Sequence, residues 1–219
     1  MIVVIGSPIG RIADGALAAG GSASRVALAA AAAGHVVQLV GRTGEDPTAE
    51  AVVLDLARGG VGHVALLRDA SRVTPLEAEP AIDLEADDLD DASASPAGED
   101  EAASAPPLDA ADVDLGLRYL TDFAVVVLAE PAGPDVVRVV ADAARWAEAR
   151  LVLVVATGSS VPDGLPADGI VFEAPDTDPD GVFATLVGDF AGALDDGAEP
   201  EDAFRASVAS EGWSEAAEA

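Results

Sequence analysis

The chain contains no cysteine, which excludes disulfides and thiolate metal centres. It contains no lysine either. All 11 basic side chains are arginine, set against 40 aspartates and glutamates, for a formal charge of −29. A protein this acidic repels nucleic-acid backbones and anionic membrane surfaces, so neither is expected as a partner. Aromatic residues are scarce, at 4%, although half of all residues are apolar. The core must therefore be built from alanine, valine and leucine. No apolar run approaches the ~20 residues of a membrane span. The opening MIVVIGSPIG lacks the basic flank of a signal peptide and reads as a buried strand. These absences lead to the expectation of a soluble, cytoplasmic protein with a small-molecule ligand. Two origins fit the acidity: a surface suited to high salt, or the Asp and Ala bias of a GC-rich genome.

What is present is an alternation of strand and helix. Ile2 to Ile5 is a continuous apolar run ending at Gly6, the pattern of a strand buried on both faces. An Ala-rich helix over residues 23–33 stops at Gly34, with Ser22 and Ser24 as candidate caps. A strand from His35 to Val40 ends at Gly41. Pro47 opens a helix that stops at Gly59-Gly60, and Val61 to Leu67 is a third strand. Later segments predict a helix over 109–121, a strand from Phe123 to Leu128, and an amphipathic helix from Pro134 to Arg150. Strands at Leu151–Val155 and Ile170–Phe172 follow, then helices over 180–194 and 199–209. Such alternation implies an α/β fold, a doubly wound and mainly parallel sheet with helices on both faces. Ligands bind such sheets at the carboxyl ends of the strands, where Gly6, Gly10, Gly41, Gly44 and Gly158 gather.

One stretch breaks the pattern. From Val73 to Leu117 there is no basic residue, and acids cluster around ASASPAGEDEAASAPP. That composition buries too little apolar surface to offset ordering entropy. The expected organisation is a single domain in two halves, residues 1–74 and 109–212. A disordered acidic loop at 75–108 separates them, and a frayed tail occupies 213–219. The GSPIGR after the first strand is not a dinucleotide fingerprint and reads as a strand-end turn. His35 and His63 have no ligating neighbour at motif spacing, so no protein metal site is expected.

The string GGSASRVALAAAAAGHVVQLVGRTGEDPTAEAVVLDLARGGV carries more information. It sets a Gly-Gly pair, a helix, a glycine, a strand and VGxxGxD before a further helix and GV. In that order and spacing it resembles the ribokinase-like (PfkB) sugar kinases. The resemblance implies their fold. For the ligand it implies a hydroxylated substrate near Gly20 and Gly21, with Asp14 as a loose match to the family's sugar-binding aspartate. Arg25 stands where the family has an asparagine, and would favour an anionic ligand such as a sugar phosphate. Thr157 and Gly158, in VVATGSS, match a strand end that contacts nucleotide in the family. The dozen residues between the first strand and Gly20 are too few for the family's β-stranded lid, so a member without a lid is expected.

The family hallmark, DTxGAGDxF at a helix start, holds phosphate on bare amides and supplies a catalytic base. Here the stretch is DTDPDGVF, residues 176–183. Gly181 keeps the place of an anion-hole glycine, and Asp180 is the candidate base if the enzyme is active, with ATP and Mg²⁺ as cofactors. Yet Pro179 removes an amide donor, and Asp178 and Asp180 put carboxylates where phosphate would sit. The favoured expectation is therefore a divergent relative with impaired phosphotransfer that binds a small hydroxylated or anionic ligand or a nucleotide. An active sugar or nucleoside kinase is the alternative, and a non-catalytic structural subunit the third. A homodimer is compatible with each.

Overall fold

The computed structural model describes residues 1–77 and 108–210. Most of the expected acidic loop and all of the expected tail lie outside these residues. Along the described chain run β1 (Ile2–Ile5), β2 (Ile9–Ala13), β3 (Ala16–Gly20), α1 (Gly21–Ala32), β4 (Val37–Gly44), α2 (Pro47–Arg58) and β5 (Val61–Asp69). Then follow α3 (Ala110–Arg118), β6 (Val125–Leu128), α4 (Pro134–Ala147), β7 (Arg150–Val155), β8 (Ile170–Glu173), α5 (Val182–Asp195) and α6 (Pro200–Ser210).

Six strands form one parallel sheet in the order β5-β4-β1-β6-β7-β8. The α/β, doubly wound expectation holds. β1 shows why its run had to be apolar throughout. Ile2 and Val4 feed the core beneath α1 and α5, while Val3 and Ile5 feed the core beneath α3 and α4. Successive strand residues point to opposite faces, and both faces are covered. The sheet winds outward from β1 in both directions, so the β1–β6 boundary is the topological switch point.

Residues 9–20 depart from the expected simple turn. β2 and β3 form a separate antiparallel hairpin, register Ile9↔Gly20 to Ala13↔Ala16. Asp14 and Gly15 make its tip with φ of 51° and 74°, the left-handed pair a two-residue turn requires. The hairpin packs on α2, and the Asp55 carboxylate accepts the Ala19 amide at 2.8 Å.

Local chemistry sets the helix starts. Asp46 caps α2 by accepting the Ala49 amide at 2.8 Å, and Pro47 fits the first turn. The Ser22 and Ser24 caps do not form. Gly20 is the cap residue of α1, Ser22 Oγ donates to the Ala129 carbonyl at 2.7 Å, and the Ser24 hydroxyl is buried. The small residues of α1 let α5 approach closely. A Cβ on Gly188 would stand 2.7 Å from the Val26 carbonyl oxygen and from Ala29 Cβ. This tight pair brings the first turns of α1 and α5 together at the carboxyl edge of the sheet.

Candidate functional site

Two strand ends meet at the switch point. Ser7 follows β1 and Glu130 follows β6. The Ser7 amide donates to Glu130 Oε2 at 3.0 Å and Ser7 Oγ donates to Oε1 at 3.0 Å. Burial pushes the Glu130 carboxyl above the usual carboxylate range, and the two bonds from Ser7 oppose that shift without cancelling it. A cleft of about 230 Å³ opens over this pair, bounded by Ser22, Arg25, Glu77, Glu130, Asp178 and Phe183.

The first turns of the two helices that aim at the cleft are partly occupied by the chain's own carboxylates. At α5, Asp178 Oδ1 accepts the Phe183 amide at 3.1 Å and Oδ2 accepts the Ala184 amide at 3.0 Å. One carboxylate therefore satisfies two of the orphan donors of the first turn and sits on the positive end of the helix dipole. At α1, Glu77 Oε1 accepts the Gly21 amide at 3.4 Å. Arg25 joins the two ends. Its Nη1 donates to the Asp178 carbonyl at 2.6 Å and to the Pro179 carbonyl at 3.2 Å, and its Nη2 pairs with Glu77 Oε2 at 3.0 Å. Gly181 follows with φ of 72°, and a Cβ there would stand 2.9 Å from Arg25 Cδ. A side chain at 181 would meet both left-handed strain and Arg25.

The expected site residues fall into four places. Arg25 stands at the cleft, Gly20 is the cap that leads into α1, and Gly21 reaches the cleft only through its amide, which donates to Glu77. Asp180 and Gly181 lie beyond Arg25, on a neighbouring hollow that also takes in Arg11 and Thr185. Asp180 is exposed, and the carboxylate that caps α5 is that of Asp178. Thr157 and Gly158 lie in the turn after β7, tied to the chain leaving β8. Thr157 Oγ1 donates to the Ala174 carbonyl at 2.5 Å, and the Gly158 amide donates to Glu173 Oε1 at 2.5 Å. Asp14 is exposed at the hairpin tip, the far end of β2 and β3 from Gly20, roughly 15 Å away at the rise of a strand. Its place there follows from Asp-Gly turn chemistry.

Three contributors were not foreseen. Glu130 carried a signal, an acid ending the buried run VVVLA just before a proline. Ser7 carried a weaker one, the first polar residue after β1. Glu77 lay within the stretch expected to be disordered, yet residues 75–77 are firmly placed. The Gly10 amide donates to the Pro75 carbonyl at 2.8 Å, and the Glu77 amide donates to the Gly10 carbonyl at 2.7 Å. The Thr74 amide donates to Asp46 Oδ2 at 2.7 Å, which fixes the same segment from its other side. Burial alone would raise the Asp46 carboxyl. The amides of Thr74 and Ala49 outweigh it and hold the group below the usual range.

Among the described residues no cluster of three or more histidines and acids could hold a metal ion, and no helix is long and apolar enough to cross a membrane. No protein-family profile and no curated protein matches the chain in sequence. Solved structures do match in shape. Arabidopsis thaliana ribokinase complexed with ribose and ATP superposes with a TM-score of 0.61 at 15% identity, over 96% of this chain and 90% of that one. A PfkB protein from Polaromonas sp. JS666 gives 0.63 at 14% identity, over 94% and 92%. The chain has the ribokinase-like fold.

Proposed function

We propose that the chain is a divergent relative of the PfkB carbohydrate kinases that binds a small hydroxylated ligand in the Glu130 cleft and has lost phosphotransfer. The observation that carries this reading is the double capping of the cleft by the chain's own carboxylates, Asp178 on α5 and Glu77 on α1. A nucleotide's terminal phosphate needs free amides at such a helix start. Here it would have to displace Asp178 and enter beside two further carboxylates. Arg25 offers it little help, because its guanidinium is already committed to Glu77 and to two backbone carbonyls. The same commitment favours a neutral hydroxylated ligand over an anionic one. Glu130 and Ser22 supply polar edges that can meet hydroxyl groups, and Val154, Ala174 and Phe183 supply apolar walls.

ATP and Mg²⁺ fit these residues poorly. Mg²⁺ is commonly held by one or two carboxylates together with phosphate. The carboxylate nearest the α5 amides is spent on them, and among the described residues no group of three or more acids and histidines is placed to hold a metal ion. The competing reading, an active ATP- and Mg²⁺-dependent sugar kinase, keeps one observation in its favour: Asp180 stands exposed immediately before the left-handed Gly181.

Calorimetry with ribose, ribose 5-phosphate and ATP separates the two readings. The expected result is heat with the neutral sugar, lost in Glu130→Ala, and no Mg²⁺-dependent ADP release with any of them. ADP release that requires Mg²⁺ and vanishes in Asp180→Asn would establish the kinase instead.

A further inference from the structure

Beyond Arg25, a second hollow of about 520 Å³ opens between the β2–β3 hairpin, α1 and the start of α5. Arg11, Leu28, Ala29, Ala32 and Asp180 line it. Two glycines make room for the arginines at its edge. A Cβ on Gly20 would stand 2.9 Å from Arg11 Cβ, and one on Gly181 would stand 2.9 Å from Arg25 Cδ. Arg25 is already committed to Glu77 and to two carbonyls. Arg11 keeps most of its donors. Its Nε donates to the Ala19 carbonyl at 2.8 Å, which ties the guanidinium to the hairpin. Both terminal nitrogens remain unpartnered among the described residues.

A chain with 40 acids and 11 arginines has carboxylates to spare for every guanidinium. Among the described residues, Arg11, Arg58 and Arg68 nevertheless form no ion pair, and of the three only Arg11 is half-buried. Partial burial strips water from a cation, and a hydrogen-bonded anion normally replaces it. The free N–H groups of Arg11 form the fork that grips a carboxylate through two parallel bonds. Asp180 borders the same hollow, is exposed, and its carboxylate has no partner among the described residues, Arg11 included. The hollow therefore sets an uncommitted cation and an uncommitted anion around an apolar floor. A net anion would meet Asp180 and the field of a −29 chain, and a net cation would meet Arg11. A zwitterion satisfies both groups and carries no net charge for the field to oppose. Leu28, Ala29 and Ala32 then receive an aliphatic side chain.

We infer that this hollow binds a small aliphatic amino acid, its carboxylate on Arg11, its ammonium at Asp180 and its side chain against α1. The site is separate from the Glu130 cleft and does not rest on what that cleft binds. Thermal melts of the full chain test it with three probes: L-leucine, leucinamide, which lacks the carboxylate, and N-acetyl-L-leucine, which lacks the ammonium. With a dissociation constant near 1 mM, about 10 mM L-leucine raises the melting temperature by roughly 3–6 °C. Leucinamide and N-acetyl-L-leucine at the same concentration and matched ionic strength should each move it by less than about 1 °C. Arg11→Gln and Asp180→Asn should each abolish the leucine shift. Asp180 is exposed and its carboxylate ties down nothing in the fold, so Asp180→Asn stays folded even if Arg11→Gln loses the hairpin. The shift should persist in Glu130→Ala. Absence of a leucine shift overturns the inference, as does an equal shift with either derivative. A shift that survives Asp180→Asn also overturns it, and one lost in Glu130→Ala does the same by moving the ligand to the cleft.

Discussion

Replacing Asp178 by alanine removes a carboxylate and almost nothing else. Arg25 holds the carbonyl of residue 178, not its side chain, so that tie survives the substitution. What is lost is the pair of bonds from the Phe183 and Ala184 amides at 3.1 and 3.0 Å. Loss of an N-terminal cap costs about 0.5–2 kcal/mol. For a chain of this length each kcal/mol lowers the melting temperature by roughly 2–4 °C, so a fall of about 1–8 °C is expected. The same change exposes two amides at the positive end of α5. If these take inorganic phosphate with a dissociation constant near 1 mM, then 10 mM phosphate stabilises the variant by about 1.4 kcal/mol. That recovers roughly 3–6 °C. Thermal melts by circular dichroism, with and without phosphate at matched ionic strength, read both effects. The parent protein should move by less than about 1 °C, the scale of an unoccupied site. The double variant with Asp180→Asn, which removes a neighbouring anion, should respond more strongly than Asp178→Ala alone. Equal phosphate shifts in the parent and the variants would refute self-occupation, and so would an Asp178→Ala protein that melts unchanged and ignores phosphate.

Glu130 has a raised folded-state pKa, so the stability linked to its proton is fully present below the ordinary glutamate value and is lost as pH rises through the folded value. Melts of Glu130→Gln and parent from pH 4 to 8 should therefore diverge in favour of the variant as pH increases, and parallel curves would contradict this. Asp46 has the opposite sign: its folded pKa is lowered, so its contribution is present above the unfolded value and fades as pH falls through the folded one, below about pH 4. Asp46→Ala should cost about 1–3 kcal/mol at neutral pH by denaturant titration, through loss of the Ala49 and Thr74 amide bonds, and the cost should shrink in acid.

Most of the sheet could be read from the sequence because its elements obey local rules. The all-apolar IVVI and VVVL runs each serve two cores, and Pro47, Pro134 and Gly34 punctuate their helices where stereochemistry requires. Boundaries moved by a residue or two, except that β4 runs on through Gly44 and that α3 and α4 stop three residues short of their expected ends, at Arg118 and Ala147. The hairpin of β2 and β3 escaped because alanine and glycine blur its alternation. Its Asp14-Gly15 turn was nonetheless a hairpin signal, and the resemblance to a sugar-binding aspartate drew the reading away from turn chemistry. The expected absence of a stranded lid bears on the same residues, since a two-stranded hairpin stands where a bare turn was foreseen.

The site was legible only where its parts are close in sequence. Asp178 lies five residues before Phe183, within reach of local reasoning about caps, and DTDPDGVF already set it against phosphate. The partnership of Ser7 with Glu130 spans 123 residues, and that of Arg25 with Glu77 spans 52. No periodicity reports such pairs. They arise because the switch point juxtaposes the ends of β1 and β6, and because α1 and α5 pack closely enough for one guanidinium to bridge their starts. The bridging also shows why the capped state resists a ligand. A free phosphate at millimolar concentration competes with a carboxylate tethered a few residues from its donors, whose effective concentration is at least comparable. Release of Asp178 would also have to proceed beside Arg25, which fixes the backbone of the same residue. Each carboxylate at the cleft is therefore held by a second contact, and a ligand that needs the amides must break a coupled set of bonds rather than a single cap.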